Sequence, residues 1–189
     1  MTRIAIFASG SGTNAENIMR RFRSHPNIAV TCVCTNRADA YVIERSKKLD
    51  VPVYVFNKQE FTETEVLEYL KSNHIEWIVL AGFLWLVPEK LIDAYPNRII
   101  NIHPALLPKY GGKGMYGDHV HRTVIDNGDI ESGITIHLVN REYDKGAPLF
   151  QARCPVEPGD TPETLAARIH SLEYEFFPAI IEKTIMGNV

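Results

Sequence analysis

The chain has 189 residues, of which 45% are hydrophobic, with a formal net charge of -3 and a sequence pI near 6.2. That is enough apolar material for one sizeable core, so a single domain over 1–189 is the expectation. The acidic balance excludes the broad basic surface that nucleic acid or an anionic membrane requires, and small-molecule substrates are left.

The amino terminus, MTRIAIFASG, holds too short an apolar run for a signal peptide, and no later stretch approaches the ~20 apolar residues of a membrane span. A cytoplasmic protein with no nucleic-acid or membrane partner is expected, as a monomer or a homodimer. Cys32, Cys34 and Cys154 are too few and too scattered for a disulfide framework. Free cysteines pack as small hydrophobes, and the spacing of Cys32 and Cys34 puts both thiols on one face of a strand.

In chain order, RIAIFA (3–8) is a β-branched run ended by Ser-Gly-Ser-Gly, and apolar residues at helical spacing follow from Asn14 to about Phe22. The pattern recurs. IAVTCVCTN reads as strand, ADAYVIERSKKL as helix, VPVYVF as strand, FTETEVLEYLKS as helix, and IEWIVLAG as strand again. Alternation of this kind predicts an α/β fold with a doubly wound, mostly parallel sheet. After RIINIH the pattern changes, because GITIHLVN and PLFQARCPV have no helix between them, so the C-terminal portion of the sheet is predicted antiparallel. The chain closes on a long helix with Asp160 or Thr161 as N-cap and Pro162 near its first turn; Pro178 is expected to kink or divide it.

Three stretches carry candidate chemistry. ASGSGTN sits between the first strand and the first helix, where backbone N–H groups and the hydroxyls of Ser11 or Thr13 meet the positive end of the helix and suit a phosphate. It lacks the third glycine of a dinucleotide fingerprint and the lysine of a P-loop, which points to a phosphorylated monomeric substrate. A plain tight turn with Asn14 as cap is the competing reading.

NIHPALLPKY (101–110) is the second. Asn101 and His103 lie two apart on a strand, so they project from one face at its carboxyl end, where open α/β sheets place their ligands. Pro104 then turns the chain outward into the longest aperiodic segment, PALLPKYGGKGMYGD (104–118), whose Gly-rich part at 109–118 is a candidate lid. The third, NREYDKGAP, supplies Asp144, a carboxylate able to orient His103, provided that the strand GITIHLVN lies beside the fifth strand. An ordinary turn residue is the alternative for Asp144. His119 and His121 diverge if Asp118 caps a helix, which argues against a metal, and His137 faces either core or site.

These residues, with VLAGFLWLVP, HVHR, NGD, DKGAP and PGDTPETL in the same order, resemble the folate-dependent formyltransferases over almost the whole chain. The resemblance implies transfer of a formyl group from 10-formyltetrahydrofolate, as co-substrate, to the primary amine of glycinamide ribonucleotide, with no metal. It implies that Asn101, His103 and Asp144 are catalytic and that Gly12, Thr13 and Asn14 hold the substrate phosphate. It places His170 and Glu173 at the ribose or glycinamide end. The folate would lie along Leu84, Trp85, Leu86 and Val87, with Asn101 and the loop Asn140, Arg141, Glu142, Tyr143 and Asp144.

Three features depart from the family's pattern: GGKGMYGD is longer than the usual link, TETE (62–65) lacks a common arginine, and Thr135 replaces a common serine. Two relatives sharing the Asn, His and Asp set are alternatives, methionyl-tRNA formyltransferase and formyltetrahydrofolate hydrolase, each expected to need an additional domain. A non-catalytic folate or nucleotide sensor on the same scaffold is a third, disfavoured by the presence of all three residues.

Overall fold

Runs of β-branched residues bounded by glycine and proline become buried strands, and the computed structural model describes residues 1–187 of the chain. The elements are β1 (Thr2–Phe7), α1 (Thr13–Phe22), β2 (Ile28–Thr35), α2 (Val42–Lys48), β3 (Val53–Val55), α3 (Lys58–Thr62), α4 (Glu65–Ser72), β4 (Trp77–Leu80), α5 (Glu89–Ala94), β5 (Ile99–His103), α6 (Asp118–Asp126), β6 (Glu131–Leu138), β7 (Pro148–Pro155) and α7 (Pro162–Ile185). The strand order is β3-β2-β1-β4-β5-β6-β7. β1 pairs parallel with β2 and β4, β2 pairs parallel with β3, and β6 pairs antiparallel with β7. The α/β class, the parallel majority and the antiparallel C-terminal portion are as the sequence predicts.

The chain packs as two compact units, Met1–Ile100 and the part from Asn101 onward. In the first, Ile4, Ala5 and Ile6 are fully buried, which is why β1 reads as an uninterrupted apolar run. Ala15, Ile18, Met19 and Phe22 form the buried stripe of α1. Phe7 anchors an aromatic group, with ring centroids 5.8 Å from Phe56, 6.2 Å from Phe61 and 5.4 Å from Phe83. Burying such a side chain contributes roughly 1.5–3 kcal/mol. Cys32 and Cys34 are buried with their sulfurs 4.0 Å apart, on one face as expected.

In the second unit, Leu165, Ala166, Ile169, Glu173, Phe177, Ile180 and Ile181 make the buried stripe of α7. Thr161 caps this helix through a capping box with Thr164, and Pro162 occupies its first turn.

Several local expectations are corrected. FTETEVLEYLKS forms two helices, because the Asn57 capping box starts α3 and Glu63 leaves helical geometry before α4 begins. Pro178 does not divide α7, which continues to Ile185 on its buried stripe. Gly117 with φ 54°, rather than Asp118, precedes α6, and Gly12 with φ 73°, rather than Asn14, precedes α1. α5 carries no periodic signal, since Leu91 is the one buried residue in its six.

Candidate active site

In the first unit the anion-type loop follows β1 directly. A side chain at Gly12 would collide with Val42, whose Cγ2 lies 2.4 Å from the position of an added Cβ, and the left-handed φ of 73° independently requires glycine. The loop is therefore pressed against the start of α2, with the Val42 N–H donating to the Gly10 carbonyl at 3.1 Å. Arg45 Nε donates to the Ser11 carbonyl at 2.8 Å and its guanidinium pairs with Glu16, which fixes the loop from the side. Thr13 and Asn14 are the first two residues of α1, so their amides lie in its N-terminal turn, at the positive end of the helix.

The same unit carries Leu84–Val87 close by, since the Leu84 N–H donates to Ser9 Oγ at 3.1 Å and the Ser9 N–H donates to the Gly82 carbonyl at 3.0 Å. Leu84 and Leu86 are exposed, at 41% and 39%, while Val87 is buried. Trp85 packs edge-on to Phe56 at 6.2 Å, and the Lys58 ammonium lies 4.6 Å from its ring. Apolar side chains are left open beside a polar loop, a surface that suits a flat aromatic ligand.

In the second unit, Asn101, His103, His137 and Asp144 converge. Asn101 and His103 share a face of β5, as the spacing predicts, and Asp144 reaches both from the loop after β6. Asn101 Nδ2 lies 3.0 Å from His137 Nε2 and 3.5 Å from Asp144 Oδ1. His137 Nδ1 lies 2.8 Å from the Leu138 carbonyl, so that nitrogen carries the proton and Nε2 accepts from Asn101. His103 Nε2 donates to the Tyr110 carbonyl at 2.7 Å, and its Nδ1 stands 3.6 Å from Asp144 Oδ2, a charge contact too long for a good hydrogen bond. The Gly112 N–H donates to Asp144 Oδ2 at 2.9 Å. His137, open between core and site in the sequence, is 2% exposed and belongs to this cluster.

Burial raises the Asp144 carboxyl, yet the His137 contact, the His103 imidazole and the Gly112 amide together bring it below its ordinary value. The His103 imidazole also lies below its ordinary value. Its burial lowers the imidazole more than the Asp144 charge and the Tyr110 carbonyl raise it. Asp144 thus opposes a desolvation penalty without overcoming it.

His170 and Glu173 sit together on α7, with His170 Nδ1 2.9 Å from Glu173 Oε2. Glu173 is 5% exposed and lies on the helix's apolar stripe, four residues from Ile169 and from Phe177. The hydrogen bond to Glu173 raises the His170 imidazole. Asn140 Nδ2 donates to the Lys145 carbonyl at 3.0 Å and its Oδ1 accepts from the Glu142 N–H at 3.0 Å, so this residue shapes the loop that carries Asp144. Arg141 and Tyr143 belong to the same loop. A separate cleft of about 370 Å³, lined by residues including Leu106, Leu107, Tyr110, Asp129, Gln151 and Arg153, contains none of the predicted site residues.

A carboxamide and an imidazole from one strand end, beside a half-buried carboxylate, are groups able to donate hydrogen bonds and transfer protons in an α/β enzyme. The chain belongs to the formyl transferase family, whose model matches residues 2–181. It is 37% identical to a phosphoribosylglycinamide formyltransferase of Haemophilus influenzae, with 100% of this chain and 90% of that protein covered. A chloroplastic protein of the same name from Arabidopsis thaliana is 40% identical, and the match covers 97% of this chain but 66% of that relative's length. Among solved structures, glycinamide ribonucleotide transformylase 1 from Symbiobacterium toebii superposes with a TM-score of 0.91 at 33% identity, covering 99% of this chain and 89% of that one. Among the described residues, no helix is long and apolar enough to cross a membrane.

Proposed function

We propose that this protein transfers the formyl group of 10-formyltetrahydrofolate to the amine of 5-phosphoribosylglycinamide, a step of purine biosynthesis. The observation that carries the reading is the convergence of half-buried Asn101 and Asp144 on buried His103, in one cluster with His137. Similarity to proteins named for this reaction, over nearly the full chain, supports it.

Gly12, Thr13 and Asn14 bind the substrate phosphate through the amides of the first turn of α1. Glu173 and His170 take the ribose or glycinamide end. Leu84, Trp85, Leu86 and Val87, together with the loop 140–144, take the folate. When the amine adds to the formyl carbon, negative charge develops on the formyl oxygen. Asn101 donates an N–H to it, turning from its 3.5 Å contact with Asp144 while the shorter bond to His137 fixes the amide plane. A well-aimed donor of this kind contributes roughly 3 kcal/mol to the transition state.

His103 supplies a second donor and, when protonated, the proton required by the departing folate nitrogen. Asp144 holds the imidazole by charge and favours its cationic form. Methionyl-tRNA formyltransferase and the hydrolase reading differ from this one in acceptor, so the test varies the acceptor. Tetrahydrofolate release from 10-formyltetrahydrofolate is followed with and without the ribonucleotide, in wild type and His103→Ala. The expected result is release that depends on the ribonucleotide and is lost in the variant. Release without the amine indicates a hydrolase, and undiminished turnover in the variant removes His103 from the mechanism.

A further inference from the structure

The NGD triplet (127–129) belongs to the pattern that resembles the family, yet no role above uses it. Its geometry begins with a helix stop. Gly128, at φ 68°, ends α6: its N–H donates to the Ile125 carbonyl at 2.9 Å, and the Asp129 N–H donates to the Val124 carbonyl at 3.3 Å. This closure sets the turn that carries Asn127 and Asp129. Both side chains meet one atom, the Tyr110 hydroxyl, which donates to Asp129 Oδ2 at 2.9 Å and accepts from Asn127 Nδ2 at 3.0 Å.

Tyr110 itself adopts φ 56°, a left-handed conformation that a bulky residue rarely takes. Its carbonyl accepts from His103 Nε2 at 2.7 Å, and two residues on, the Gly112 N–H donates to Asp144 Oδ2 at 2.9 Å. Gly111 between them is pressed close: a Cβ there would lie 2.6 Å from Leu107 Cδ2 and 3.3 Å from Asp144 Cβ. Asp144 is left-handed too, at φ 55°. Such backbone persists where surrounding contacts over-determine it, and it gathers at functional sites. The segment 110–112 thus grips both members of the His103–Asp144 pair, and the Tyr110 hydroxyl anchors that segment to the turn after α6.

A carbonyl only accepts, so the grip selects a tautomer. The charged or titratable groups acting on the ring are Asp144, His137 and Glu173. Asp144, 3.6 Å from Nδ1, draws the proton of the neutral ring toward Nδ1, whereas the Tyr110 carbonyl, at 2.7 Å, holds it on Nε2. The shorter contact wins. Nδ1 is then the nitrogen left to gain and lose a proton on the side of Asp144.

We propose that Tyr110, held by Asp129 and Asn127, is a positioning residue for the reaction, acting through His103 by fixing its orientation and its tautomer. The kinetic part of the inference rests on the formyl-transfer reading above; the tautomer rests on geometry alone.

The test uses the full chain, with nitrogen-detected NMR of neutral His103 and steady-state kinetics, on wild type, Tyr110→Phe, Asp129→Ala, Asp129→Asn and the double variant of Tyr110→Phe with Asp129→Ala. Wild type should carry the His103 proton on Nε2, a readout that needs no variant. In Tyr110→Phe part of that proton should move to Nδ1, and kcat should fall about tenfold, the worth of one well-made hydrogen bond, with KM for both substrates within about twofold. Asp129→Ala should match it. Asp129→Asn, which keeps an oxygen for the hydroxyl, should recover most of the loss, and the double variant should be no worse than either single change, because both break one contact. A wild-type proton on Nδ1, a Tyr110→Phe variant with the tautomer and kcat of wild type, or losses that add in the double variant each overturn the inference. If a variant fails to fold, the wild-type tautomer and the Asp129→Asn kinetics still decide. Formyl release without any ribonucleotide defeats the functional reading instead, and the tautomer measurements still decide on Tyr110.

Discussion

Replacing Asp144 with Asn removes one charge while leaving a side-chain oxygen able to accept from the Gly112 N–H. The loop anchor survives, so the change isolates electrostatics. His103 Nδ1 lies 3.6 Å from the lost carboxylate oxygen, with side-chain exposures of 5% and 11%. At an effective dielectric near 20, a full charge pair at that distance has about 4–5 kcal/mol of gross attraction. One third of it lowers the His103 midpoint by about one pH unit. The wild-type midpoint already lies below the ordinary imidazole value, because burial disfavours the cation. The direction follows from the sign: the carboxylate favours imidazolium, its loss disfavours imidazolium, and the protonated fraction at neutral pH falls. Nitrogen-detected NMR titration of His103 should therefore give a midpoint below 6.5 in wild type and lower still in Asp144→Asn. In the steady-state assay, kcat at neutral pH should fall by about tenfold, the drop in imidazolium fraction that one pH unit brings, and residual activity should improve toward lower pH. A variant within about twofold of wild type, with the His103 midpoint unmoved, would refute the assignment of Asp144 as the group that holds the cation.

Other outcomes are equally open to measurement. Gly12→Ala should destabilise the protein by about 1–3 kcal/mol in denaturant unfolding and raise KM for the ribonucleotide, because the added carbon meets Val42 and the backbone is left-handed. Asn101→Ala should lower kcat by about 10²-fold with binding of ribonucleotide little changed, whereas Glu173→Gln should weaken ribonucleotide binding more than folate binding. Thr161→Ala should cost about 1 kcal/mol of stability without affecting kcat, since it removes only the cap of α7. Arg168 and the hydrogen bonds around Asp160 hold that carboxyl well below its usual range. Its contribution to stability is present above the unfolded value near 3.8 and is lost as the pH falls through the lower folded one. The thermal midpoints of wild type and Asp160→Asn should accordingly converge only in strong acid.

The i, i+2 spacing of Asn101 and His103 was sufficient to put both on one face, because the period of a strand is two. The cap of α7 at Asp160 or Thr161 and the antiparallel ending were legible because each is set by local stereochemistry or by the length of a connection. Asp144 was legible as a candidate only. Whether it met His103 depended on β6 lying beside β5, which the strand order supplies and no local pattern encodes. His137 could not be assigned from alternation, since both faces of β6 are buried.

The direction of the His103 shift was decided by tertiary structure alone. From sequence, a neighbouring carboxylate was the one visible influence, and it acts upward; burial acts downward and is the larger. Sequence by itself determined which chemical groups this protein owns and, through strand and helix periods, which of them share a face. Packing decided how far each is from water and which distant loop supplies its partner, because desolvation and charge contact depend on neighbours that are remote along the chain.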